Sequence, residues 1–141
     1  MKSKGFTLIE LMVVILIVAI LAAVIIPMMR ARMDAAKWSE GKSSIGTISV
    51  AARSYWAEHS DTAVLADAPT FAELFPISTD LDGKYFESAC YSITFSQYDI
   101  NGVAYTITCT AASSTRTGVP TAPAVVTLAV AADGTSIWTE S

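Results

Sequence analysis

The sequence predicts an α+β fold: a long N-terminal α-helix, apolar in its first half and amphipathic in its second, packed on a four-stranded antiparallel β-sheet. Three observations predict it. An apolar run from Phe6 to Met29 contains a single charge, Glu10. Beyond it Trp38, Gly41, Ile45, Ile48, Ala52 and Tyr55 step by three or four, which traces one face of a helix. The C-terminal half alternates with period two and carries the turn dipeptides Asn101-Gly102 and Asp133-Gly134.

The apolar run is two dozen residues long, enough at ~1.5 Å per residue to cross a hydrocarbon core of ~30 Å. An ionised acid within it costs on the order of 2.5–3.5 kcal/mol at mid-bilayer, so Glu10 reads as a functional residue. Before the run stands a short basic leader, Met1-Lys2-Ser3-Lys4-Gly5. A secretory signal would be cut after its apolar stretch at a small-x-small site, but Ala19, Ala22 and Ala23 have the wrong spacing. The helix is therefore expected to stay on the mature chain.

The basic leader, the Gly5-Phe6 junction, Thr7-Leu8-Ile9-Glu10 and the apolar helix together resemble the class III signal of type IV pilins and type II secretion pseudopilins. The likeness is specific from Lys2 to about Met29 and architectural beyond. It implies a leader at 1–5, cut between Gly5 and Phe6 by prepilin peptidase, and N-methylation of the new Phe6 amine. It implies that Glu10 pairs with the amine of a neighbouring subunit during assembly. Residues 6–29 become the transmembrane and filament-core helix, and 30–141 the head, which includes the amphipathic half of the helix. The implied partners are other copies of the chain, minor pilins, an inner-membrane assembly platform and, before assembly, the lipid bilayer. The implied location is a bacterial inner membrane, then an extracellular pilus or a periplasmic pseudopilus.

Pro27 removes the hydrogen bond to the Ala23 carbonyl and is expected to kink or loosen the helix. Periodicity resumes at once, and pilin-like proteins carry a proline in this region of a continuous, bent helix. The amphipathic half is expected to reach about Glu58, with Gly41 on its packed face where a strand approaches closely. His59-Ser60-Asp61-Thr62 reads as the exit. A short helix follows, capped by Thr70 with Glu73 three residues on, buried through Phe71, Leu74 and Phe75 and stopped by Pro76.

Strands are expected around Tyr91, Ile93 and Phe95, then Val103, Tyr105 and Ile107, with a second hairpin from Ala124 to Ala131 and Thr135 to Thr139. Between the hairpins, Ala111 to Pro123 is rich in Ser, Thr, Gly and Pro and reads as a surface loop. Cys90 and Cys109 lie in the part outside the cytoplasmic membrane, where a disulfide is the default. A two-residue turn centred on Asn101-Gly102 leaves them four residues out of register, about 13 Å and beyond the ~7 Å limit between bridged Cα atoms. Bridging then needs a turn centred near Asp99 and Ile100, or a bulge.

Of 141 residues the anchor takes about thirty, leaving one small domain with its own core. The formal charge is −4, and loss of Lys2 and Lys4 leaves seven basic against thirteen acidic side chains, −6. That balance argues against nucleic acid as a partner, since backbone binding needs a basic footprint. Arg30, Arg32 and Lys37 read as the helix meeting lipid headgroups. Trp38, Tyr55, Trp56, Tyr85, Phe86 and Trp138 are expected in the helix–sheet core.

Nothing in the head supports catalysis. The single histidine, His59, reads as a solvated helix-end residue, no Gly-x-Ser-x-Gly elbow occurs, and zinc lacks clustered ligands. The best oxygen-ligand candidate is Asp80, Asp82 and Glu87 around Gly83, a weak calcium site whose spacing is not that of an EF-hand and whose plainer reading is a turn. No cofactor is expected. The function expected is that of a structural filament subunit. The alternatives are a pseudopilin, or an inner-membrane-anchored monomeric binding module for which Glu10 has no use.

Overall fold

In the computed structural model, which describes residues 5–77 and 79–141, helix α1 runs from Leu8–His59 with Pro27 inside it. The leader residues Met1 to Lys4 lie outside the described residues. The chain divides into two compact units, Met1–Met33 and Asp34–Ser141. In the first, the large apolar side chains from Phe6 to Met29 are all exposed, the least exposed being Val13 and Val14 at 49%. A helix satisfies its own backbone hydrogen bonds but not its side chains, so this surface asks for lipid or for other helices.

The second unit is a helix on a meander sheet. From Asp34 onward α1 buries Asp34, Trp38, Gly41, Ile45, Ile48 and Ala52, the face that the three- and four-residue spacing marks. After it come 3-10 turns at Ser60–Thr62 and Leu65–Asp67, then the short α2 (Phe71–Leu74), where Glu73 accepts the Thr70 backbone N–H as expected for a capping box. The strands are β1 (Tyr91–Asp99), β2 (Gly102–Thr110), β3 (Val125–Val130) and β4 (Ser136–Glu140), all antiparallel in the order β1-β2-β3-β4. The α+β arrangement is thus the one the sequence predicts. The core sits between α1 and the inner faces of β2 and β3, where Tyr105, Ile107, Cys109, Val126, Leu128 and Val130 are all buried.

Two expectations about packing are corrected. Gly41 makes room for rings rather than for a strand: a Cβ there would lie 3.1 Å from the Trp38 ring and 3.2 Å from that of Phe86. Trp138 is not core but 45% exposed. It lies opposite Leu128, but β4 is an edge strand that the helix face does not cover, and all five of its residues are exposed. The second turn behaves as its dipeptide predicts, with Gly134 at φ +86°, a left-handed conformation that glycine tolerates.

In the first hairpin the turn moves only half as far as the expected centre near Asp99 and Ile100, and a bulge moves the register further. Asp99 pairs with Gly102, so the loop is Ile100-Asn101, one residue earlier than the Asn-Gly dipeptide suggests. The Asp99 carboxylate is the cause, accepting the backbone N–H of Asn101 at 2.8 Å and of Gly102 at 3.2 Å. Gly102 instead permits close approach, since a Cβ there would meet Ala132 at 3.0 Å. A bulge between Phe95 and Gln97 then shifts the register once more and sets Cys109 opposite Tyr91. Cys90 is the next residue out, at the end of the 3-10 turn Ser88–Cys90, which puts the two Cα atoms roughly 6 Å apart by strand geometry. Both are buried free thiols in the structure. Burial pushes the Cys109 thiol up to about 12, and the neighbouring Cys90 adds to the effect.

The loop from Ala111 to Ala124 is strapped to α1. Asp34 Oδ2 accepts both the backbone N–H (3.0 Å) and the hydroxyl (2.8 Å) of Thr121, its Oδ1 accepts Lys37 Nζ at 3.1 Å, and Trp38 Nε1 donates to the Pro123 carbonyl at 3.0 Å. The segment before β1 is held the same way, with Glu40 Oε1 accepting the backbone N–H groups of Tyr85 (2.8 Å) and Phe86 (3.0 Å). The Thr121 bonds, with Lys37 adding, hold the Asp34 carboxyl down at about 2.

Asp34→Ala is expected to destabilise the head by about 1–3 kcal/mol, because it removes a buried charged acceptor and orphans the Thr121 donors. A carboxyl lowered from 3.8 in the unfolded chain contributes stability that is full above that value and is lost as pH falls through about 2. Urea unfolding of the detergent-solubilised chain, followed by tryptophan fluorescence at pH 6 and pH 2.5, checks both, and Asp34→Ala should flatten the acid loss. We also propose that Cys90 and Cys109 are oxidised to a disulfide in the cell envelope. Protein unfolded without reductant should then bind no thiol label, whereas two labelled cysteines would mean that the bridge is absent.

Candidate functional site

The site is the first turn of α1. Thr7 and Glu10 stand three residues apart, and the structure ties them reciprocally: the Thr7 backbone N–H and hydroxyl donate to Glu10 Oε2 at 2.9 and 2.7 Å, and the Glu10 N–H donates to Thr7 Oγ1 at 3.3 Å. This is a capping box, satisfying backbone donors that a helix start leaves unpaired. The negative charge also sits at the positive end of the helix dipole. Glu10 Oε1 has no hydrogen bond or ion pair among the described residues. No Lys or Arg occurs between Gly5 and Arg30, so the local sequence offers this oxygen no side-chain cation. The arrangement is a carboxylate oriented by one oxygen, with the other left to accept a donor.

Phe6 lies just before this turn, 77% exposed, and Gly5 precedes it. Pro27 lies inside α1, which continues from Leu8–His59. Thr7, legible in the sequence as part of the Thr7-Leu8-Ile9-Glu10 motif, is also a cap, in the same Thr-x-x-Glu pattern that Thr70 and Glu73 show.

The three carboxylates of the calcium candidate do not all come together. Asp82 and Glu87 do converge, but on a guanidinium: Arg116 Nη2 lies 3.0 Å from Asp82 Oδ2 and Nε 3.6 Å from Glu87 Oε2. Glu87 Oε1 accepts the Thr115 N–H at 2.7 Å, and Thr115 holds its carboxyl below the usual range, with Arg116 adding. Asp82 Oδ1 accepts the Ser88 N–H at 3.1 Å. Among the described residues no three His, Cys, Asp or Glu side chains form a metal-holding group. His59 is exposed at the end of α1, where Nδ1 contacts the Tyr55 carbonyl at 2.9 Å.

Residues 1–26 match the family described as the prokaryotic N-terminal methylation motif. Searches of curated proteins and of solved structures returned no match. Such a motif points to a structural protein rather than an enzyme, and with the apolar helix it fits anchoring in a membrane. The chain carries, at the head of its apolar helix, the class III signal of type IV pilins and pseudopilins.

Proposed function

We propose that the chain is a filament subunit, stored in the inner membrane and then polymerised through residues 6–29, with the heads outside. The observation that supports this best is the capped carboxylate on an apolar helix that is exposed from end to end. Among other apolar helices an unpaired ion costs several kcal/mol, so a cation must come from elsewhere. Cleavage after Gly5 creates one, the N-methylated amine of Phe6. In this reading the amine of a neighbouring subunit takes Glu10 Oε1 while Oε2 keeps the Thr7 cap, and the pair sets the axial register of the incoming subunit. A membrane-tethered monomer has no need of that oxygen. A pseudopilus differs in the length and place of the polymer rather than in this chemistry.

Two outcomes are expected. Intact mass of the purified protein should correspond to a chain starting at Phe6 with one added methyl group, and a mass that retains Met1 to Gly5 in a host with prepilin peptidase would overturn the processing. Glu10→Gln keeps an oxygen for the Thr7 cap but loses the charge, so expression and membrane insertion should hold while the amount in sheared filaments falls at least about tenfold, the loss of one charge-assisted bond of roughly 1.5–3 kcal/mol. Glu10→Leu should insert as well and assemble as poorly. Equal incorporation of wild type and both variants, with methylation checked by mass, would remove Glu10 from assembly.

A further inference from the structure

The Asn101-Gly102 dipeptide reads in the sequence as a turn signal, yet the turn does not use it as one: the loop is Ile100-Asn101, and Gly102 is already the first residue of β2. Asn101 is also the only asparagine in the chain. It is exposed, and the glycine after it has no Cβ to shield its nitrogen. The Asp99 carboxylate holds the dipeptide from one side. Its Oδ1 accepts the backbone N–H of Asn101 at 2.8 Å and of Gly102 at 3.2 Å, and Gln97 Nε2 donates to both of its oxygens at 3.3 Å. Gln97 first, then the N–H of Asn101, that of Gly102 and the Asn101 side chain, hold this carboxyl below its usual range, so Asp99 is an anion at neutral pH.

We propose that Asn101 is a self-modification site, converted in the folded chain to aspartyl and isoaspartyl residues through a succinimide closed by the Gly102 nitrogen. That nitrogen attacks the Asn101 side-chain carbonyl carbon. Its proton passes to Asp99 Oδ1 and on to the amide nitrogen, whose bond to the same carbon breaks, and ammonia leaves. Nucleophile and electrophile belong to adjacent residues, so closing the five-membered ring asks only for rotation at Asn101. Water then opens the ring at one of its two carbonyls. Opening at the side-chain carbonyl gives aspartate, and opening at the main-chain carbonyl gives isoaspartate, with the chain running through the side chain. One water is consumed and one ammonia released in all. The two Asp-Gly pairs of the head are held differently. Asp133 Oδ1 takes the N–H and hydroxyl of Thr135 at 2.8 and 2.7 Å, while Asp82 takes Arg116 and the Ser88 N–H, and the Gly83 N–H donates to the Phe86 carbonyl at 2.7 Å. Their ionised carboxylates are also poorer electrophiles than an amide. Conversion of Asn101 sets a second carboxylate beside Asp99, in a recess of about 230 Å³ that Arg53 and Asp133 also line, and the isoaspartyl form adds a methylene to a two-residue loop. The change is one-way, so it accumulates with the age of the protein, and it does not rest on the filament reading.

The test incubates the detergent-solubilised full-length chain, folded, in buffer at pH 8. The tryptic peptide from Tyr85 to Arg116 is followed by mass, with fragmentation locating the change and isoaspartyl methyltransferase labelling separating the two products. The expected result is an amide-to-acid mass gain at position 101 together with isoaspartyl label. Asn101→Gln, which would have to close a six-membered ring, should lower conversion at least about tenfold. Asp99→Asn keeps an oxygen for the two N–H groups but loses the charge, and should slow conversion at position 101 at least about threefold. That effect stays below the ~10²-fold of a base matched to the working pH, because the bonds that hold Asp99 also weaken it as a base. No conversion in the folded wild type, over a time in which the urea-unfolded chain converts, overturns the site. So does a wild-type rate in Asp99→Asn with the β1 and β2 amide shifts in place. The folded-against-unfolded comparison needs no variant and decides the matter if Asp99→Asn fails to fold.

Discussion

The rest of this molecule depends on an apolar helix surface that its own chain does not cover. Side chains from Phe6 to Met29 stand about half exposed or more, and in water that surface costs on the order of tens of kcal/mol. Lipid tails and the side chains of other apolar helices relieve it equally, because both are hydrocarbon. Hydrophobic burial therefore holds the helix in either setting but does little to choose between them. The choice falls to packing and to whatever polar group the stretch carries, and Glu10 is the only charge it has.

Glu10 is suited to that role by the way it is held. Its capping bonds to Thr7 fix the side chain before any partner arrives, so a donor meeting Oε1 does not have to order it. In the filament proposed above Oε2 keeps the Thr7 cap, which confines the change on assembly to one oxygen and one charge. On that proposal Thr7 acts on assembly through Glu10, and its hydroxyl is as much a part of the arrangement as the carboxylate.

The head uses acids for a different purpose. Asp34, Glu40 and Glu87 each accept backbone N–H groups from segments that no strand pairs: Asp34 from Thr121, Glu40 from Tyr85 and Phe86, Glu87 from Thr115. Long irregular loops lie on the core only if their backbone donors find acceptors, and here carboxylates from α1 and the loop before β1 supply them. Much of the acidic surplus in the composition is thus structural cement, which removes any need to read it as a surface for a basic partner. Gly83 shows how tight this is, since a Cβ there would collide with the Glu40 carboxylate.

Local and periodic features were legible in the sequence alone. The extent of α1 to within a residue of His59, the capping box at Thr70, the four strands and the glycine turn at Gly134 all follow from spacing, propensity and capping chemistry, which act over a few residues. The methylation motif belongs with them, since a peptidase reads a short stretch of chain. What only tertiary structure decided are the meetings between distant residues: Asp34 with Thr121, and Arg116 with Asp82 and Glu87. It also placed the first turn one residue early and added the bulge that brings Cys109 opposite Tyr91, and it left Trp138 on an uncovered edge. The reason is physical. Periodicity records which face of an element is apolar, but the partner that a single polar side chain finds depends on loops whose closure the pattern does not encode, and strand register on one Asp99 carboxylate capturing two N–H groups.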